Sequence, residues 1–314
     1  METDTNKVSF NHKSDEIDLK ELFSVLWSSK YQIAGIAFVF FLATIIYSLY
    51  QSNFYQSSAL LSPIEEQNDI SAAMRSYNNL ANFAGINLPS QTSISKSQKA
   101  LDKLGSLSFF TENILPNIFL PDLMAVDSWD PKSNSISYNS NDFDSEKQLW
   151  VREYKFPQTQ VPSAQESYKV FKERLTVVED SDSGFITVSV KHQSPYIAKA
   201  WTELMISEIN SFFRIKDQAE AQLAVDFLNA QIAQTNFKEV KEVIAQLLQQ
   251  KTQQLSIIEV SDFYVFEYID PPAVMEEKYE PKRLLMLIIG TLLGLAFGLI
   301  TSLIRHYFFQ KTSR

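Results

Sequence analysis

The chain contains no cysteine, which excludes disulfides and thiolate-held metal centres. Histidine is nearly as scarce, with only His12, His192 and His306. Seven glycines are present, and none belongs to a GxGxxG, P-loop or GxSxG pattern; HExxH and CxxC are missing too. Two stretches lack charge altogether. Tyr31 to Tyr50 (YQIAGIAFVFFLATIIYSLY) and Leu284 to Ile304 (LLMLIIGTLLGLAFGLITSLI) hold no Asp, Glu, Lys or Arg. Each run is about 20 residues, enough at ~1.5 Å per residue to cross a ~30 Å hydrocarbon core as a helix.

That layout predicts a two-span membrane protein. It divides the chain into an arm (1–30), a first span (31–50), a middle domain (51–283), a second span (284–304) and a tail (305–314). The first run is read as a retained anchor, because 30 residues precede it and its exit lacks a small-x-small cleavage site. Lys20 and Lys30 lie before it, backed by Lys7 and Lys13, whereas the next basic residue after it is Arg75. Positive charge is retained inside, so both termini are expected in the cytoplasm and the middle domain outside it, periplasmic in a bacterium with two membranes. His12 and His306 then lie on the cytoplasmic side. His192 is alone in the middle domain, and no histidine pair is available there for metal or relay chemistry.

The net charge of −9 sits mainly in the middle domain, which makes it a poor partner for nucleic acid. Acid pairs such as Glu65–Glu66 and Glu276–Glu277 are expected by chance among so many carboxylates, so no general acid–base role is assigned to them. No cofactor, metal or catalytic residue is indicated.

The fold expected is α+β. In the arm, Ile17, Leu19, Leu22, Phe23, Leu26 and Trp27 have helical spacing and suggest an amphipathic helix on the membrane face. Phe54 to Pro63 reads as a strand. Asp69 to Leu104 reads as helical, broken at Gly85 to Ser90. Leu115 to Tyr154, rich in Pro, Ser, Asn and Asp, reads as loops with short elements. Phe171 to Val178 and Phe185 to His192 read as a hairpin, with Gly184 supplying turn freedom. Ser194 is placed to cap, and Pro195 to open, a helix of about 40 residues and ~60 Å, uninterrupted from Tyr196 to Thr235. A second helix is expected over Lys238 to Leu255, after a turn at Gln234 to Asn236. Ser261 to Asp270 reads as a strand buried on both faces. The domain thus divides into an α/β base near the membrane (51–193 and 259–283) and a helical hairpin (194–258).

Two local patterns stand out near the second span. Gly290, Gly294 and Gly298 recur every four residues, a flat stripe against which another helix can pack closely. The periodicity does not say whether the partner is the first span, another subunit or another protein. Pro271, Pro272, Pro281, Lys282 and Arg283 mark the approach to the span, where prolines stop a strand and cations reach the interface.

These residues resemble the Wzz-type chain-length determinants, the polysaccharide co-polymerases. The family pattern P-x2-P-x4-S-P-K-x11-G-x3-G reads here Pro272, Met275 in place of proline, Glu280 in place of serine, then Pro281, Lys282, Gly294 and Gly298. The segments DEIDLKELFSVLW, NLANFAGINL, VSVKHQSPYIAKAW and EYIDPPAV are similar as well, in order along the chain. The resemblance implies a base with a long helical extension and a ring-shaped homo-oligomer in the bacterial inner membrane. It implies a non-enzymatic regulator that sets the length of O-antigen or a related lipid-linked glycan beside a Wzy-type polymerase. A capsule or exopolysaccharide export co-polymerase, and a structural periplasmic adaptor of a secretion or efflux machine, are the alternatives. With ten residues after Ile304, no fused kinase is expected.

Overall fold

The computed structural model describes residues 27–64, 95–261 and 263–310. The expected amphipathic helix before Trp27, and residues 69–94 of the helical stretch expected over Asp69 to Leu104, with its break at Gly85 to Ser90, lie outside the described residues; the end of that stretch is described and is helical over Lys96–Leu104. In chain order the elements are α1 (Lys30–Tyr50), β1 (Tyr55–Pro63), α2 (Lys96–Leu104), a run of short helical turns over 107–117 and α3 (Leu120–Met124). The small strands β2 (Val126–Asp130), β3 (Ser135–Tyr138), β4 (Phe143–Asp144) and β5 (Leu149–Trp150) follow, then α4 (Ala164–Arg174), β6 (Leu175–Glu179) and β7 (Ile186–His192). The remainder is α5 (Pro195–Gln234), α6 (Lys238–Val260), β8 (Phe266–Asp270) and α7 (Arg283–Gln310). Two compact units result, one spanning 52–279 and the other holding α1 and α7.

The larger unit is organised by a four-stranded antiparallel sheet of order β6-β7-β1-β8. β1 is central because its alternation is strict: Tyr55, Ser57, Ala59 and Leu61 all point into the interior. It pairs with β7 from Tyr55↔His192 to Leu61↔Ile186. α5 lays Ala198, Trp201, Met205, Ile206, Ile209 and Phe213 over this sheet, a stripe at helical spacing that meets Ile186, Val188 and Val190. Phe109, Phe110 and Phe171 close the core from the helical turns and α4. The stretch expected as loops contains the two small hairpins β2–β3 and β4–β5.

Three expectations are corrected. Phe171 to Arg174 is helix, the last turn of α4, and the strand begins only at Leu175. The cause lies upstream: Ser163 and Glu166 form a capping box, which nucleates a helix whose period turns Ser167 and Phe171 inward. Arg152 adds a bidentate grip on Glu166 at 3.0 Å on each arm and is the first cause holding that carboxyl down at about 2. The return segment is also shorter and less buried than expected. β8 is an edge strand among the described residues, with Val265 and Phe266 buried but Ile269 exposed. Finally, Ser194 occupies the N-cap of α5 without a side-chain cap bond. Its backbone N–H donates instead to His192 Nδ1 at 2.9 Å, and the other ring nitrogen of His192 bonds the Asp122 carbonyl at 2.9 Å. Since Nδ1 accepts, Nε2 carries the proton.

Two polar devices fasten the return segment to α5. Asn210, buried in the middle of the helix, accepts from the N–H groups of Tyr264, Val265 and Phe266 at 3.2, 2.7 and 2.9 Å and donates to the Phe266 carbonyl at 3.0 Å. One carboxamide thereby satisfies backbone that enters the core before β8 forms its ladder. Beside it, Asp217 accepts from Lys96 and from the Tyr264 hydroxyl, both at 2.7 Å, which ties α2, α5 and the return segment together. Burial, with the Asp217 bond next, pushes the Tyr264 hydroxyl up to about 12.

Asn210→Ala strands three buried N–H groups and is expected to cost about 3 kcal/mol, read by denaturant unfolding of the full chain in detergent; a loss below about 0.5 kcal/mol refutes the clamp. His192 yields a pH prediction. Burial, reinforced by the nearby Arg174 charge, lowers its pKa from 6.5 to about 4. Below pH 6.5 the unfolded chain binds a proton that the folded chain refuses. Stability is therefore full above pH 6.5 and falls toward pH 4, by roughly 3 kcal/mol from this group. Unfolding at pH 7 and pH 4.5 checks it: His192→Gln should flatten the slope relative to the parent chain, and identical slopes would refute the assignment.

Candidate functional site

α1 and α7 are the two helices long and apolar enough to cross a membrane, among the described residues. Most of their large side chains, Phe38, Ile46, Leu292 and Phe297 among them, face outward. The two helices touch along a narrow seam built from the glycines of α7. A Cβ at Gly290 would overlap the Thr44 side chain. One at Gly294 would lie 2.7 Å from Phe40 Cβ and 2.9 Å from Ala37 Cα, and one at Gly298 3.1 Å from Ile33 Cα. The partner of the glycine stripe in this structure is thus the chain's own first helix. Within a bilayer two such helices would have no hydrophobic gain from pairing, so close van der Waals contact would supply the attraction, and small residues permit it.

Ile33, Ala37, Phe40 and Thr44 form the matching stripe on α1. Thr44 turns its hydroxyl back to the Phe40 carbonyl at 2.8 Å, so no polar group is stranded in the seam at that point. Phe40 meets Phe297 at a ring separation of 5.8 Å. Arg305 donates to the Gln32 side chain at 3.0 Å near one end. Sequence reasoning missed the α1 half. Its signal was the small residues Ala37 and Thr44, seven apart and so two turns along one helix face.

The proline motif is divided between the two units. Pro272 is buried in the larger unit. With Pro271 it follows directly on Asp270 and ends β8, because proline offers no N–H to the ladder. The segment beyond stays along β1: Ala273 accepts from the Ser57 hydroxyl at 2.8 Å, and Tyr279 donates to the Phe54 carbonyl at 2.8 Å. Pro281 and Lys282 precede α7, and their carbonyls accept from Arg283 at 2.9 Å and Met286 at 3.1 Å, which opens the helix. Pro281 is half-buried and Lys282 exposed. The glycines share one face, and Pro272 is not part of it.

The far part of α5 and all of α6 carry a second apolar surface. Leu223, Phe227, Val240, Val243 and Leu247 are exposed, although α5 and α6 pack on each other. Past Phe213, Ala221 is the one buried residue of α5, and Ile258 the one buried residue of α6, among the described side chains. The apolar stripe on each helix is wider than its sister helix can cover. No cluster of three or more metal-ligating residues occurs among the described residues.

Residues 15–106 match the Wzz family model, described as chain length determinant protein. No match was found among curated proteins. Among solved structures, the chain is similar to a full-length bacterial polysaccharide co-polymerase, at 15% identity and a TM-score of 0.40, over 95% of this chain and 100% of that one. It is also similar to a fragment of WzzB, a polysaccharide co-polymerase from Salmonella Typhimurium, at 16% identity and a TM-score of 0.28, over 73% of this chain and 100% of the fragment.

The seam predicts a graded response to added volume. Gly294→Ala should cost about 1–3 kcal/mol by overpacking and Gly294→Leu more, whereas Gly298→Ala should cost under about 1 kcal/mol. Unfolding in mixed micelles of increasing sodium dodecyl sulfate measures this. Equal tolerance at the two positions would contradict the geometry.

Proposed function

We propose that this chain, which carries a Wzz chain length determinant segment over residues 15–106, sets the length of a lipid-linked polysaccharide in the bacterial inner membrane. It does so as a scaffold and catalyses no step. The observation that carries this reading is the family match itself. It runs through α1 and β1, in a chain whose other end holds a second apolar helix packed on the first.

In this reading α1 and α7 cross the bilayer, both termini are cytoplasmic, and the unit over 52–279 is periplasmic. The lysines ahead of α1, and the lack of any basic residue after it until Arg75, support that orientation. The glycan is O-antigen or a related polymer, extended by a separate Wzy-type polymerase. The chain acts as a homo-oligomeric ring, and the uncovered apolar stripes of α5 and α6 support contact between copies. Each subunit offers a weak contact to polymer or polymerase. Repeated around a ring, such contacts raise effective concentration, so residence time depends on polymer length.

The test is deletion of the gene and gel display of surface polysaccharide. A clustered ladder that collapses to a random, short-biased distribution is the expected result. Complete loss of polymer would replace the reading with an export role, and an unchanged ladder would refute both. Leu223→Glu with Phe227→Glu should dissociate the oligomer without preventing insertion and broaden the ladder. An intact oligomer on native gels would count against these stripes as the subunit contact.

A further inference from the structure

One cavity of the larger unit has a composition that core packing does not explain. It lies between α5 and the segment that leads into β8 and has a volume of about 260 Å³. From the helix it is lined by Ile206 at its inner end and by Ser207, Asn210, Ser211 and Arg214. The four polar positions follow the i, i+3, i+4, i+7 spacing of one helix face. A face opposed by another element is ordinarily apolar; here, beyond Ile206, it is polar. The opposing wall is aromatic, made by Phe263, Tyr264 and Tyr268.

The walls have different roles. Asn210 is consumed by its four bonds to the backbone of the return segment, and the Tyr264 hydroxyl by Asp217. Together they fix the floor. Phe263 is exposed and stands edge-on to Tyr268 at 5.5 Å, which leaves aromatic surface open to an incoming group. Arg214 directs one nitrogen toward the Ser261 carbonyl at a long 3.5 Å, so most of its five donors are not engaged by that contact. Ser207 and Ser211 present hydroxyls one helical turn apart.

We propose that this cavity binds a single pyranose unit of the polysaccharide. A pyranose has an apolar C–H face that packs on an aromatic wall, and a rim of hydroxyls that needs donors and acceptors. The cavity offers both, on opposite sides. Its volume lies below the ~300–1,000 Å³ of pockets for drug-sized ligands, the scale of one ring rather than of a chain. The polymer passes along the opening and docks one unit at a time. Phe263 and Tyr268 receive the ring face, and Arg214, Ser207 and Ser211 receive the hydroxyls or a carboxylate. This inference rests on the proposed function and assigns direct glycan contact to the chain itself.

The experiment uses the full chain in lipid nanodiscs and, as probe, the water-soluble polysaccharide released by mild acid from the parent cells. Saturation-transfer NMR should show magnetisation passing from protein to ring C–H protons. Phe263→Ala and Arg214→Gln should each lower that transfer at least fivefold with the melting temperature kept. Ser211→Phe, which fills the cavity and removes no bond, should do the same. In cells these variants should shift the polysaccharide ladder. No transfer with the parent chain, or equal transfer in all variants, overturns the proposal. A change of oligomer size in the variants without glycan signal overturns it too, and assigns the cavity to a subunit contact. The two readings fail separately: gene deletion that leaves the ladder unchanged sinks the proposed function, whereas deletion that collapses it while cavity variants leave it intact sinks only this site.

Discussion

The larger unit depends on one strand having partners on both sides. β1 receives β7 along one edge and β8 along the other, and α5 covers the face that β1 turns inward. The rest of the four-stranded sheet and α5 are placed by reference to it. β7 brings β6 and leads through His192 into α5. α5 brings Asn210, which in turn fixes the backbone just ahead of β8. The strand can hold this position because Ser57, Ala59 and Leu61 fit a tight interior. The small residues allow α5 to sit close, and Thr202 of that helix reaches the Ser57 carbonyl at 3.3 Å. A bulky residue at Ala59 would lift the helix and loosen the whole arrangement.

The other unit obeys a different rule. In the larger unit burial of apolar surface drives assembly, whereas α1 and α7 carry apolar side chains around most of their circumference and, in the proposed topology, gain nothing by hiding from lipid. Their pairing rests on shape: two flat glycine positions against Thr44, Phe40 and Ala37, and a third with slightly more room against Ile33. Specificity here is steric. It follows that the apolar surface of α5 and α6, which is bathed in water in the proposed topology, is energetically unlike the equally apolar outer surface of the spans. The first calls for a partner and the second does not.

Much of this was legible in the residues. α5 runs Pro195–Gln234 and α6 Lys238–Val260, close to the stretches marked by Pro195 at one end and by the absence of proline and glycine thereafter. Helical period, length and start signals are local, and local signals are readable. What could not be read was non-local or ambiguous. Phe171 precedes a run of Leu, Thr and Val with no glycine or proline between, so helix and strand merge in the sequence; the capping box at Ser163 was the cue that separates them. Alternating aromatics before Asp270 mimic a central strand, because residue period does not record whether a neighbour lies outside. The hydroxyl of Ser194 fits a cap, yet the imidazole of His192 takes over the bonding there. At the candidate sites, the glycine repeat announced a close contact without naming its other side. The polar positions Ser207, Asn210, Ser211 and Arg214 of α5 carry no signal of their own along the chain; what makes them a site is the aromatic wall that the fold sets opposite.

The order of the sheet also bears on biosynthesis. β1 leaves the ribosome early, just behind the first hydrophobic segment, but its partners are not made until residues 186–192 and 266–270. Pairings so distant along the chain are slow to close, since a long loop must be organised before any reward is collected. In the proposed topology the nascent domain is translocated while tethered at one end, with its central strand bare on both edges. It can complete its core only after the last strand has emerged, immediately before the second hydrophobic segment anchors the other end. Maturation of this protein is thus a late, nearly all-or-none event, and truncation anywhere ahead of Asp270 would leave an anchored, unfinished chain.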